Sequence, residues 1–163
     1  MTDFRQAATQ LADADPAVRA AAAEQLATAG SEAGVAAVQL VKACGDEQSV
    51  QTWAVAALED SGPPPAAAMA ELMELAESTQ PLVAYWAVTL LGRLGATASC
   101  AEAVLVKRLQ AGGDLATRER AAWALGQIAA KSPASIAALE QVSQARESRL
   151  ARLARDSLQQ VSN

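Results

Sequence analysis

The chain has 163 residues, 52% of them hydrophobic and 19% charged, a balance that excludes a disordered polypeptide and suits one folded domain. Ala is the commonest residue while Phe and Tyr occur once each, which favours closely packed helices over a β-sheet. The net charge of −5 argues against a polyanion partner, and the absence of histidine removes Ser-His and Cys-His nucleophilic pairs and histidine metal ligands.

The elements follow one another as apolar-periodic segments separated by turn residues. Residues Phe4 to Ala14 form a first segment; Asp15-Pro16 then starts a helix through Val18, Ala22 and Leu26 that stops at Gly30. Ala33 to Cys44 precede Gly45 and a helix through Val50, Ala54 and Leu58, closed by Gly62 and Pro63-Pro64-Pro65. Ala66 to Ala76 lead to Thr79-Gln80-Pro81 and a helix through Val83, Ala87 and Leu91, stopped by Gly95. Ala98 to Leu109 and Gly112-Gly113 precede a helix through Thr117, Ala121 and Leu125. After Ser132-Pro133, Ile136 to Ala145 lead to a last helix through Leu150, Ala154 and Leu158.

One pattern therefore recurs five times: an apolar anchor, Ala four positions on and Leu eight positions on, at successive spacings of 32, 33, 34 and 33 residues. Positions 0, +4 and +8 climb one face of a helix, and the γ-methyl of Thr117 suits the one anchor that is not aliphatic. Each repeat is a helical hairpin that cannot bury its apolar stripe alone, so stacking supplies the core. The expected fold is all-α, an α-solenoid or superhelix of five hairpins and about ten helices in a single domain over 1–163, with repeats at about 1–30, 31–62, 63–95, 96–130 and 131–163.

Asp15-Pro16-Ala17-Val18-Arg19, followed by an Ala-rich helix and Leu26, resembles a HEAT repeat. Leu91-Gly92-Arg93-Leu94-Gly95 and Ala121-Ala122-Trp123-Ala124-Leu125-Gly126-Gln127-Ile128 are similar to the helix ends of its short HEAT-like subclass, named after phycobiliprotein lyases and resembled by the artificial alpha-Rep binders. The resemblance covers nearly the whole chain and implies second helices that line a concave groove. The family's arginine after the anchor is kept as Arg19 and Arg118 but is Gln51, Ala84 and Ala151 elsewhere, a departure that weakens the Asp-to-Arg tie between neighbours in those repeats.

At about 100° per residue, positions +2, +3, +6 and +10 from each anchor point away from the buried arc. These 20 positions hold all three Trp and the single Tyr of the chain, a concentration that core packing alone does not select. The expected partner-binding surface is Trp53, Tyr85, Trp86, Thr89, Arg93, Glu119, Arg120, Trp123 and Gln127, with the Trp, Tyr and Arg make-up of binding hot spots. Trp53 and Trp86, both at +3, also suit a sealing role between successive second helices, whereas Trp123 at +6 is harder to explain as core.

The remaining features read as structure. Arg146, Arg149, Arg152 and Arg155 suit a solvated capping helix, and Glu71, Glu74 and Glu77 suit a solvated face better than a metal site. Asp15-Arg19 and Asp114-Arg118 are spaced to cap and pair locally, while Cys44 and Cys100 are expected as reduced, packed thiols. Neither a signal peptide nor a membrane span is expected, which makes the cytoplasm the default location.

The function expected is a non-catalytic module that binds another protein or peptide, with no cofactor, no metal and no membrane. The alternative implied by the resemblance is a HEAT-like subunit of a bilin lyase that holds a chromophore or substrate protein. Nucleic-acid binding ranks below both, because the lining is mixed in sign. Residues 1 to 80 carry 12 acidic and 3 basic side chains and residues 81 to 163 carry 6 and 10, an asymmetry that permits head-to-tail self-association.

Overall fold

A computed structural model describes residues 4–111 and 113–162. Ten α-helices lie among the described residues: α1 (Phe4–Gln10), α2 (Pro16–Ala27), α3 (Ala37–Ala43), α4 (Gln48–Asp60), α5 (Met69–Ala76), α6 (Pro81–Arg93), α7 (Glu102–Gln110), α8 (Leu115–Gln127), α9 (Pro133–Ser143) and α10 (Ser148–Ser162). Short 3-10 helices, Gly30–Ala36, Ala66–Ala68 and Gly95–Ala101, lead into α3, α5 and α7. No strand occurs among these residues, and none of their helices is long and apolar enough to cross a membrane. The chain is an all-α repeat solenoid, and it divides into two compact units whose boundary falls inside α5, between Glu71 and Leu72.

The helix starts follow from local chemistry. Pro16, Pro81 and Pro133 each open a helix, where a missing N–H costs nothing. Asp15 accepts from the Ala17 amide at 2.9 Å, Asp114 from that of Thr117 at 2.8 Å and Ser132 from that of Ser135 at 3.2 Å. The polar anchor Thr117 is buried because its hydroxyl also donates to Asp114, at 2.7 Å.

The repeated Ala at +4 is buried in every repeat, as Ala22, Ala54, Ala87, Ala121 and Ala154. A methyl there lets neighbouring helices approach closely. In the first unit α2 packs on α4, with α1 and α3 beside them, around Leu26, Leu40 and Leu58. In the second unit α6, α8 and α10 pack in succession, with α7 and α9 alongside, around Leu91, Leu105, Leu109, Leu125, Leu139 and Leu150.

Arginines tie the hairpins through longer reaches than sequence spacing suggests. Arg19 does not pair with Asp15, which caps α2; it makes a bidentate pair with Asp46 (2.6 and 2.8 Å) and donates to the Asp13 and Ala14 carbonyls. Arg118 likewise does not pair with Asp114 but donates to the Leu109 carbonyl at 3.1 Å. In both cases the nearby Asp is committed to the helix N-terminus, and the guanidinium bonds to carbonyls at or after the end of the preceding helix, with Arg19 adding the Asp46 carboxylate beyond α3. Arg108 and Arg155 do the same, to Ala76 and Ser78 and to Ser143.

The cysteines separate in character. Cys44 is buried and its thiol is pushed up to about 12 by that burial, which makes it inert. Cys100, expected to be packed, is exposed, with its sulfur 4.0 Å from that of Met73. Glu71 and Glu77, read from sequence as a solvated face, pair with Lys42 and Lys107.

Candidate functional site

Eight of the nine residues expected at the binding surface lie in the second unit, on α6 and α8. Trp53 lies on α4 in the first unit, 39% exposed.

Tyr85 and Trp86 are consecutive on α6 and meet edge to face, with ring centroids 5.4 Å apart at 88°. Arg120 of α8 lies 5.2 Å over the Tyr85 ring and 5.5 Å over the Trp123 ring, and its Nε donates to the Tyr85 hydroxyl at 2.8 Å. One guanidinium thus clamps an aromatic from each of two successive helices. Arg93 lies 5.7 Å over Trp86. Burial, and then the like charge of Arg120, lower Arg93 below its ordinary value; an arginine so shifted is still a cation at neutral pH.

Trp123 is seated by a missing side chain. A Cβ at residue 92 would overlap Cζ3 of the Trp123 indole, so Gly92 on α6 opens the slot that the ring fills. The same device recurs one repeat on, where Gly126 leaves room for Ser157, whose hydroxyl donates to the Ala122 carbonyl at 2.7 Å.

The burial pattern corrects part of the sequence expectation. Trp86 is only 5% exposed: Arg93 lies over its face and Tyr85 meets it at right angles, so it is a buried support of the site and not a contact surface. Thr89 is 2% exposed, its hydroxyl returned to the Tyr85 carbonyl at 2.8 Å. Tyr85, Arg93, Glu119, Arg120, Trp123 and Gln127 are half-buried. Gln127 makes only a long hydrogen bond, 3.4 Å, to Gln160.

A cleft of about 110 Å³ opens beside this stack, lined by Tyr85, Ala116, Glu119, Arg120, Trp123, Arg149 and Leu153. Glu119 Oε2 sits 3.3 Å from Arg149 Nε, closing one wall. Arg149 was missed as a site residue because it stands one position before its anchor and looks like part of a solvated arginine stripe; only the packing of α10 on α8 brings it to Glu119. A larger cleft of about 270 Å³ is lined by Ser78, Thr79, Arg108, Asp114 and Arg118 among others, but its arginines are committed to backbone carbonyls at the ends of α5 and α7 and to that of Ser78. Among the described residues no three of Cys, Asp and Glu gather to hold a metal ion.

Residues 69–159, more than half of the chain, match the model of HEAT repeats. No curated protein matches. Among solved structures, an engineered protein is 23% identical with a TM-score of 0.70, covering 99% of this chain and 80% of that one. A designed armadillo repeat protein in complex with the peptide (KR)4 is 20% identical with a TM-score of 0.69, covering 97% and 81%. Human deoxyhypusine hydroxylase in complex with glycerol is 20% identical with a TM-score of 0.54, covering 98% and 73%. At these identities the structural likeness establishes the helical-repeat fold alone. With the repeat in the sequence, the stacked hairpins and the match over residues 69–159 in agreement, the chain belongs to the HEAT-repeat family.

Proposed function

We propose that this chain is a non-catalytic interaction module that binds another protein or peptide on the α6–α8–α10 face of its second unit. The observation that carries this is the clamp of Arg120 between Tyr85 and Trp123, half-buried and opening on a cleft, because Trp, Tyr and Arg held rigidly at a surface are the residue types that dominate binding energy. Preorganisation adds to it: the Gly92 slot and the Tyr85 hydrogen bond fix two side chains whose ordering binding would otherwise have to offset. Helical-repeat folds commonly serve protein recognition, and a structural neighbour of this chain carries a bound peptide.

The test is affinity capture of partners by the wild type and by an Arg120→Ala, Leu153→Ser double variant, with circular dichroism and melting measured alongside. Retained fold with lost capture is the expected result. Undiminished capture by a folded double variant would remove the cleft from the interaction.

A further inference from the structure

The cleft beside Trp123 carries a charge imbalance that the aromatic stack does not use. Arg120 uses Nε on Tyr85, while its two terminal amino groups make no hydrogen bond among the described residues. Because the rings of Tyr85 and Trp123 hold the guanidinium plane, that fork is presented in a fixed orientation. The one carboxylate lining the cleft, Glu119, is mostly buried, with 12% of its side chain exposed, and is already paired with Arg149. The lining therefore holds two guanidiniums against one carboxylate.

A cationic side chain entering here would meet Arg120 with its only counter-charge taken. An anionic one would find a planar donor fork, the geometry that matches a carboxylate in bidentate fashion. The cleft's volume of about 110 Å³ is that of roughly three to four waters, enough for a carboxylate and a methylene group or two. Trp123 and Leu153 supply apolar surface at its edge.

Resting on the interaction reading above, we infer that the partner presents an acidic peptide segment: a Glu or Asp carboxylate docks on the terminal amino groups of Arg120, and an adjacent apolar side chain lies against Trp123 and Leu153. This is the opposite polarity to the (KR)4 peptide of the designed armadillo neighbour.

The experiment is fluorescence anisotropy with the full chain and three dye-labelled peptides of equal length and leucine content, whose other residues are Glu, Gln or Lys. The Glu peptide should bind about tenfold tighter than the Gln peptide, in keeping with a charge-assisted bidentate contact, and the Lys peptide should bind weakest. Arg120→Gln should remove the preference for Glu over Gln. Glu119→Gln should instead tighten the Glu peptide several-fold, because it deletes the cleft's carboxylate and releases Arg149; a merely structural role for Glu119 would not do this. Should Arg120→Gln fail to fold, the Glu-to-Gln peptide comparison and the Glu119→Gln variant still decide.

Equal or tighter binding of the Gln or Lys peptide would overturn the acidic assignment while leaving the interaction module standing. Binding of none of the three would also overturn it, with the module then judged by the capture experiment alone. Full displacement of the Glu peptide by inorganic phosphate at about 10 mM, a concentration that adds little general screening, would reveal a general anion site and overturn the peptide assignment as well.

Discussion

In the first, third and fourth repeats, residue twelve after the anchor takes the left-handed turn where the second helix stops. Gly30 and Gly95 hold this position with φ of +55° and +59°, the left-handed turn that closes a helix C-terminus. In the fourth repeat the same place is filled by Ala129 at φ +54°, where the Ala129 amide reaches Gly126 and the Ala130 amide reaches Leu125. An L-side chain there costs about 1–2 kcal/mol, and glycine's extra freedom in the unfolded chain returns about 0.4–1 kcal/mol of that. Ala129→Gly should therefore stabilise the protein by about 0.5–1 kcal/mol, read as a higher urea midpoint at unchanged slope. Gly92→Ala should do the reverse. Its methyl overlaps the Trp123 ring, so a loss of about 1–3 kcal/mol is expected, together with a red shift of tryptophan emission as the indole is displaced from its slot.

Between elements, the ties that hold are those made to open helix ends. Asp46 bonds bidentately to Arg19, 27 residues away, and that hydrogen bond outweighs the opposing effect of burial and holds its carboxyl below the ordinary carboxylate range. A carboxyl depressed in the folded state adds stability that is complete above its unfolded value of about 3.9 and is lost as pH falls through the folded value. Asp46→Asn should thus be less stable than the wild type at pH 7, and the gap should close as urea titrations move below about pH 4. Glu102 follows the same sign by another route. Burial pushes it up, but hydrogen bonds from Ser132 and Ser135 at the start of α9 more than offset this and leave it lowered. By contrast the Lys107 to Glu77 pair is exposed on both sides and is worth little.

For the molecule as a whole, a repeat array places its most protected segments where a hairpin has neighbours on more than one side. In the second unit α8 packs on α6, α7 and α10 and buries Thr117, Ala121, Ala122, Ala124, Leu125 and Gly126. In the first unit α1 buries only Ala7. Hydrogen exchange should accordingly be slowest in α8 and fastest in α1, and uniform protection along the chain would contradict a solenoid whose stability is the sum of nearest-neighbour contacts. The Arg120 site stands on α6 and α8, so its geometry rests on well-buried elements of its unit.

Helices, their starts and the five-fold register were legible in the sequence because they arise from short-range effects: the i, i+4, i+8 stripe, the Asp and Ser caps, and proline at the first helical position. The neighbours that share a helix, Tyr85 and Trp86, Trp86 and Arg93, and Arg120 and Trp123, were legible as well, because helical spacing alone brings them together, whereas the reach of Arg120 to Tyr85 depends on the packing of α8 on α6. Exposure was not. Trp86 and Trp123 both stand at offsets that point away from the buried arc, yet one is covered by Arg93 and Tyr85 while the other fills a slot left by Gly92 and borders a cleft. Helical phase alone sets the direction of a side chain; tertiary structure decides what lies over it, and for Trp123, Glu119 and Arg19 the residues that do so come from about 30 positions away in the chain.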